Sequence, residues 1–324
     1  MSHKTIPVFA RFQWLNHPRV IHILSKFLKP SKRGRKGYDK VLVFRLLIYR
    51  QMMRCSYRDL ESMSGIDHST FVKFKKRLMR KRWFARAFGA LVARIAPRRR
   101  SIIAILDSSF VETYSGHDEE GSEYSGYKEK NGFKLHQIID FRTRLPILQA
   151  TTPGARADIV WGGHLIRGAP KSWNVRGLLA DKAYDGWEFV AEVKQKWRSA
   201  KVGIPVRRTI HERNLPFPPE VIRNRASKEA GRYLRRSFLN QRTEIERYFS
   251  RKKRVFRLGE ERTRGLENFR VNCYLTSIME ILEWAAKPSY WVVLFTKLDD
   301  ASPAPEHQTR VKNYRKGSIV TRTF

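Results

Sequence analysis

The spacing of hydrophobic residues changes along the chain, and each change predicts a different architecture. From 38 to 82, apolar residues recur every three or four positions, as they do on one face of an α-helix. From 101 to 206 they form short apolar runs rich in Ile, Val and Leu, which predict strands interspersed with two helices. Helical spacing returns from 240 to 284. The pattern therefore predicts an α/β protein with an N-terminal helical region and a mixed sheet followed by two helices.

The chain divides into parts at these changes. Residues 1–37 are a basic segment ending in a Gly/Pro/Lys/Arg run, and residues 38–100 are predicted to form a helical domain. Residues 101–288 are the α/β domain, which an Arg- and Pro-rich insertion interrupts at about 207–236. The tail, 289–324, is predicted to contain at most one short strand. Within the α/β domain the predicted strands are 101–114, 132–141, 145–152, 175–184 and 201–206, and the predicted helices are 158–167, 186–197, 240–254 and 266–284.

Two short helices around a glycine indicate a candidate DNA-binding unit in the N-terminal domain. Ser56 is placed to cap a helix that ends at Ser64-Gly65, and Asp67 is placed to cap a second, strongly basic helix. A helix-turn-helix unit, which lays its second helix on DNA, fits this pattern. An ordinary helical hairpin with a solvated basic face fits it equally well. The candidate DNA-contacting residues are Lys73, Lys75, Lys76, Arg77 and Arg80.

The charge of the chain favours a polyanionic partner. The 324 residues include 66 Lys and Arg against 30 Asp and Glu, which gives a formal net charge of +36. Such a charge repels itself unless a polyanion binds, so DNA is the first candidate and an anionic membrane surface the second. The sequence has no apolar run long enough to span a membrane and no secretory signal. Its two cysteines, Cys55 and Cys273, predict no disulfide framework, so we expect a cytoplasmic protein associated with the nucleoid.

The stretch from Asn240 to Arg254 has no Gly or Pro and predicts a helix with three distinct sides. Phe238, Ile245 and Phe249 form its apolar stripe, and Glu244 is predicted to lie with its neighbours on the solvent side. Three charged residues follow the border of the apolar stripe, half turned into the protein: Arg242, Glu246 and Lys253. A carboxylate held between cations at such a border is suited to bind metal or phosphate. A surface helix with spaced charge pairs is the ordinary alternative.

Two further carboxylates follow apolar runs that predict strands. Asp107 comes after IIAIL and Asp181 after GLLA, where a buried charge requires pairing, hydrogen bonding or a metal ion. Ligands of open α/β sheets bind at the carboxyl ends of strands. Each aspartate alone is as readily explained by a helix cap or a salt bridge, but together with Glu246 they predict a site for Mg²⁺, with Mn²⁺ as an alternative and two ions in all. Cations that would hold a phosphodiester there are Lys182, Arg242 and Lys253.

The order Asp107, Asp181, Glu246 resembles the DDE triad of bacterial and archaeal insertion-sequence transposases. ADKAYDG (180–186) is similar to the motif around the second aspartate of that family, and Arg242-x3-Glu246-x6-Lys253 resembles its Tyr-x2-Arg-x3-Glu-x6-Lys signature, with Leu239 at the Tyr position. GFKLH (132–136) resembles the second strand of the catalytic core, and RCSYRDLESMSG (54–65) the N-terminal domain. The resemblance implies a ribonuclease-H-like core in which the two aspartates lie on neighbouring strands.

The resemblance also implies a function. It implies divalent-metal-dependent cleavage and joining of DNA at the terminal inverted repeats of a mobile element, by a protein that we expect to act as a homo-oligomer on DNA. Two alternatives stay open: a catalytically silent DNA-binding relic or regulator, and a metal-dependent nuclease without strand transfer. Two other polar residues have ordinary interpretations, His136 as a strand histidine and Asp158 as a helix-start residue.

Overall fold

The computed structural model of the chain describes residues 7–30, 37–95, 101–205, 239–260 and 264–287. The Arg-rich insertion and the C-terminal tail of the sequence analysis lie outside these residues. Residues Met1–Ala286 belong to one compact unit. None of the helices in the described ranges is both long and apolar enough to cross a membrane.

A layer of helices precedes the sheet. The two predicted caps of the helix pair are present: the Ser56 side chain accepts a hydrogen bond from the backbone of Asp59, and the Asp67 side chain accepts one from Ser69. Two helices within 7–27 were not predicted, and they bury Leu15 and Val20 completely. The elements are a 3-10 helix Pro7–Asn16, α1 Pro18–Phe27, α2 Lys40–Met53, α3 Tyr57–Ser64, α4 His68–Arg80 and α5 Trp83–Ile95.

The predicted mixed sheet is confirmed. Its order is β2-β3-β1-β5-β6, with β4 paired to β3; β1, β5 and β6 run parallel, whereas β3 is antiparallel to β1, β2 and β4. The strands are β1 Ser101–Glu112, β2 Glu123–Ser125, β3 Lys130–Asp140, β4 Leu145–Pro153, β5 Asn174–Ala180 and β6 Lys201–Gly203. The short β2 was not predicted.

Helices cover both faces of the sheet. Because side chains alternate along a strand, Ile105 of β1 packs under α8 and α9, whereas Leu106 faces α6. The helix α9 also joins the sheet to the N-terminal layer, where the rings of Tyr274 and Phe88 lie 5.7 Å apart. These helices are α6 Asp158–Gly168, α7 Trp187–Lys196, α8 Leu239–Arg254 and α9 Leu266–Ala285.

A buried ion pair links α8 and α9 on the face of the sheet that these two helices cover. Lys252 is fully buried, and its Nζ donates hydrogen bonds to Glu280 Oε2 at 2.8 Å and to Ser277 Oγ at 2.8 Å. The Tyr248 hydroxyl lies 2.7 Å from the same Glu280 oxygen and 3.0 Å from Gln137 Oε1 on β3. Burial raises the pKa of Glu280 and lowers the pKa of Lys252, while their attraction opposes both shifts. The network ties both helices to one point of the sheet.

On the opposite face, His136 of β3 is fully buried, as expected of a strand histidine. Its Nε2 lies 2.9 Å from Thr152 Oγ1, and its Nδ1 lies 3.6 Å from Asp158 Oδ1. Burial lowers the pKa of His136 to about 4, although the charge of Asp158 opposes the shift. Asp158 is the first residue of α6, as predicted.

Removing one partner of the buried pair should destabilise the fold strongly. Glu280→Gln leaves the Lys252 charge uncompensated, so we expect a loss of about 3–5 kcal/mol in the free energy of unfolding, measured by urea denaturation. The control is Glu267→Gln, which breaks an exposed pair with Arg270 and should cost no more than about 1 kcal/mol. Equal losses in the two variants would contradict a structural role for the pair.

The buried imidazole predicts a pH dependence. The pKa of His136 is about 4 in the folded chain and about 6.5 when unfolded, so the unfolded state binds the extra proton between these values. Its contribution to stability is therefore complete above pH 6.5 and decreases as the pH falls to about 4, by roughly 3 kcal/mol in total. Unfolding free energies measured across this window should fall less steeply in His136→Asn than in the parent chain.

Candidate active site

The two strand aspartates are neighbours in the sheet. Strands β1 and β5 run parallel, and their last paired residues are Leu106 and Ala180, so Asp107 is the next residue of β1 and Asp181 directly follows the end of β5. Strand β1 continues to Glu112, so Asp107 lies where the pairing with β5 stops and not at the end of its strand. Both aspartates are partly exposed. This is the carboxyl end of β5, and ligands of open α/β sheets bind at the carboxyl ends of strands.

Both aspartates lie on the face of the sheet that α8 covers. Ile105 and Leu179, each two residues earlier, belong to the apolar cluster that packs against α8, and alternate residues of a strand share a face. Gln137 is the cross-strand partner of Asp107 and contacts Tyr248 on this same face. A carboxylate on α8 can therefore approach Asp107 and Asp181 from above the sheet.

Helix α8 has a carboxylate on each border of its buried face. It packs Ile245, Tyr248 and Phe249 into the core, and Glu244 and Glu246 lie about 100° to either side of Ile245. On the Glu246 border, Lys253 donates a hydrogen bond to the Phe110 carbonyl oxygen of β1 at 2.9 Å. Glu246 therefore lies on the border that faces β1.

The other border of α8 faces away from β1. Glu244 forms ion pairs with Arg144 in the β3–β4 turn at 3.0 Å and with Arg247 at 2.9 Å. Its side chain is only 11% exposed, so the prediction that Glu244 faces water is wrong. The sequence missed this because Arg144 lies 100 positions away, and helical spacing cannot reveal such a partner.

Contacts along α8 set its direction. Glu244 near its start contacts the turn after β3, Tyr248 contacts Gln137 at the level of Asp107, and Lys253 contacts Phe110 further along β1. The helix thus runs in the same direction as β1, and Glu246 falls near the level of Asp107. Glu246 is exposed, so the prediction that its side chain is half turned into the protein is wrong.

The ligand atoms of Asp107, Asp181 and Glu246 do not form a tight cluster. Within the described ranges, the group of three ligand residues whose donor atoms all lie within 4.8 Å is Glu61, Asp67 and His68. Capping explains that group, since Asp67 caps α4 and His68 contacts Glu61 at 2.9 Å. Asp107, Asp181 and Glu246 do not form such a group among the described residues.

The cations predicted to hold phosphate have different surroundings. Lys182 follows Asp181 directly and is exposed. Lys253 is half-buried, and both burial and the positive charge of Lys128 lower its pKa. Arg242 lies in the first turns of α8, and its side chain is outside the described part of the chain.

Tyr184 is a residue near the site that sequence reasoning missed. It belongs to the ADKAYDG motif, is buried, and packs so closely on α6 that a Cβ added at Gly162 would lie 2.8 Å from its ring. Burial and the negative charges of Asp107 and Asp158 raise the pKa of Tyr184 well above its ordinary value. Its position in the motif was the available signal. The ring holds the chain after Asp181 against α6.

The helix pair presents most, but not all, of the predicted DNA-contacting cations. In α4, Phe71, Phe74 and Leu78 are buried as predicted, and the exposed cations are Lys73, Lys76, Arg77 and Arg80. Lys75 is the exception. It is 7% exposed and lines a small internal cavity together with residues such as Phe44 and Leu275, so its assignment as a DNA contact is corrected.

Comparison with known families agrees with this geometry. Residues 98–280, more than half of the chain, match the model of a family described as the transposase DDE domain. A comparison with curated proteins finds no match. The matched segment contains the β1–β5 register, both aspartates and α8. The chain belongs to the transposase DDE-domain family.

Proposed function

We propose that this protein is an insertion-sequence transposase that cleaves DNA at the terminal repeats of its element and transfers the freed ends to target DNA. The observation that carries the proposal is the β1–β5 register, which makes Asp107 and Asp181 neighbours on the face beneath α8. Glu246, on the border of α8 that faces β1, is the third carboxylate of the proposed triad.

The donor set fits Mg²⁺. Carboxylate oxygens are the ligands that this ion prefers, and it keeps open positions for water and phosphate. Asp107 and Asp181 are partly exposed and Glu246 is exposed, which leaves all three accessible to ions, and two ions are proposed. When bound, the ions supply Lewis-acid stabilisation of the charge that develops on the phosphate oxygens.

The chain's own residues position the DNA. Lys182 and Lys253 offer cations on either side of the acidic residues, and Arg242 is proposed to add a third. In the first step water attacks the phosphodiester at the element end, leaving a 3′-hydroxyl and a 5′-phosphate. In the second, that 3′-hydroxyl attacks a target phosphodiester, forms a new bond and releases a target 3′-hydroxyl.

The three carboxylates favour this function over one of its alternatives, the DNA-binding relic. A DNA-binding relic needs neither adjacent strand carboxylates nor a third one on the bordering helix. A nuclease without strand transfer uses the same first step, so a strand-transfer assay on a pre-cut terminal repeat distinguishes it. The exposed face of α4 is proposed to bind the terminal repeats, with a homo-oligomer joining the two ends on nucleoid DNA.

Neutralising either strand aspartate should abolish cleavage and spare DNA binding. Asp107→Asn and Asp181→Asn keep size and remove the charge that holds the cation, so Mg²⁺- and Mn²⁺-dependent cleavage of a terminal-repeat duplex should be lost. DNA affinity should stay within about threefold of the parent chain, or rise, because less charge repels phosphate. Normal cleavage by either variant would exclude that aspartate as a ligand.

The two glutamates of α8 provide a matched pair. Glu246→Gln should lose cleavage and strand transfer while its unfolding free energy stays within about 0.5 kcal/mol of the parent chain. Glu244→Gln should do the opposite: it weakens the pairs with Arg144 and Arg247, costs about 1 kcal/mol, and retains activity. Activity assays and urea denaturation of both variants test this. If the Glu244→Gln protein is inactive, the assignment of the catalytic border of α8 is wrong.

Binding to DNA should depend steeply on salt through α4. Each phosphate contact contributes a slope of about −0.9 to log K against log salt, so Lys76→Ala with Arg77→Ala should make the slope shallower by up to about 1.8. The control is Lys171→Ala with Arg198→Ala, two exposed cations before β5 and β6, at the edge of the sheet opposite Asp181. Fluorescence anisotropy at several salt concentrations measures both. Identical slopes would exclude α4 as a DNA contact.

A further inference from the structure

An open groove runs along the second half of β1, starting next to Asp107. It has a volume of about 970 Å³, and its walls are the chain from Ser108 to Gly116 and the chain from Leu258 to Glu260. The side chains of Lys128, Lys130 and Lys253 also line it. No sequence motif assigned a function to the β2–β3 connection, which supplies Lys128.

A second cavity continues this groove toward the N-terminal helices. Its volume is about 410 Å³, and it shares Tyr114, Gly259 and Glu260 with the groove. Its remaining wall includes Arg50 and Arg54 at the end of α2. The two cavities therefore form one path from the acidic residues to the start of the helix pair.

The path carries an excess of positive charge. Its lining includes five cations and two carboxylates, and both carboxylates are already paired, Glu112 with Lys130 at 2.7 Å and Glu260 with Arg54. Lys128 and Lys253 form no ion pair with any carboxylate of the described residues, and Lys128 lowers the pKa of Lys253. Two cations that are close enough to repel each other are stabilised when an anion lies between them.

The path also offers aromatic surface. Tyr114 is 52% exposed and stands where the two cavities meet. Beside the path, the Lys128 Nζ lies 4.8 Å from the centre of the exposed Tyr127 ring. Cations that follow a backbone, interleaved with exposed aromatic rings on which bases stack, are characteristic of surfaces that bind single-stranded nucleic acid.

We infer that this path binds a single DNA strand, with a phosphate between Lys128 and Lys253 and a base stacked on Tyr114. The inference rests on the proposed function for the identity of the strand, which would be the one leaving the acidic residues. The Arg-rich segment 207–236 is unsuited to fill a basic groove, because its charge has the same sign. An acidic peptide is the competing occupant, but it has no base to stack.

The inference is tested by binding to the full-length protein in EDTA, where cleavage cannot contribute. The probe is a fluorescent single strand of about 12 nucleotides. Lys128→Gln should weaken binding and make the salt slope shallower by about 0.7, Lys128→Arg should restore it, and Lys171→Gln should change nothing. Tyr114→Ala should weaken binding at least about fivefold, whereas Tyr114→Phe, which keeps the ring, should bind as the parent chain does.

Crosslinking locates the strand. A probe carrying 5-iodouracil should crosslink to Tyr114, as shown by peptide mass spectrometry, and the crosslink should disappear in Tyr114→Ala. Equal binding by Lys128→Gln and Lys171→Gln, equal loss in Tyr114→Phe and Tyr114→Ala, or displacement by polyglutamate at equal charge would overturn the inference. Because no metal is present, the result is independent of whether Asp107→Asn still cleaves, so failure of the proposed function is recognised separately.

Discussion

The rotation of α8 about its own axis decides which of its charges reaches the sheet, and the buried pair Lys252–Glu280 fixes that rotation. The helix is strongly polar, so only a few apolar residues help to fix its rotation. Lys252 and Lys253 are consecutive and point about 100° apart: the first pairs with Glu280 inside the core, and the second contacts Phe110 on β1. A rotation of α8 that broke the buried pair would also turn Lys253, and the border of the helix that carries Glu246, away from β1.

The buried pair is weak evidence for stability as such, because removing two charges from water offsets most of their attraction. Its effect is on specificity. An apolar residue at position 252 would pack against Tyr248 and Ser277 in several positions of the helix. The lysine ammonium, in contrast, contacts the Glu280 carboxylate in one position only. Gln137 extends this constraint to β3, directly beside Asp107. Helix α8, which carries Glu246, and strand β1, which carries Asp107, are therefore both positioned by contacts that lead to the same buried group.

Sequence reasoning predicted the elements well and the borders of α8 only in part. Apolar runs such as IIAIL and GLLA identify strands because a buried strand needs such residues on both faces. Lys253 is half-buried as predicted, but Glu246 is exposed where it was predicted to be half turned into the protein, and Glu244 and Lys75 are less exposed than predicted. Their burial depends on partners from distant parts of the chain, such as Arg144, and helical spacing carries no information about those. Lys252 was overlooked for the same reason, although it sits among apolar positions of the helix.

The positive charge of the chain and the exposure of its acidic residues are connected through the charge of the substrate proposed for this protein. Three carboxylates repel the phosphates they are proposed to cleave, so a substrate strand has to be attracted by cations placed around them. Lys182 follows one aspartate, Lys253 shares a border of α8 with the glutamate, and Lys128 and Lys253 both line the groove along β1. Lys253 is thus shared between the acidic residues and the groove. Since its position depends on the rotation of α8, the same buried pair that orients Glu246 also decides whether a strand leaving the acidic residues meets a cation.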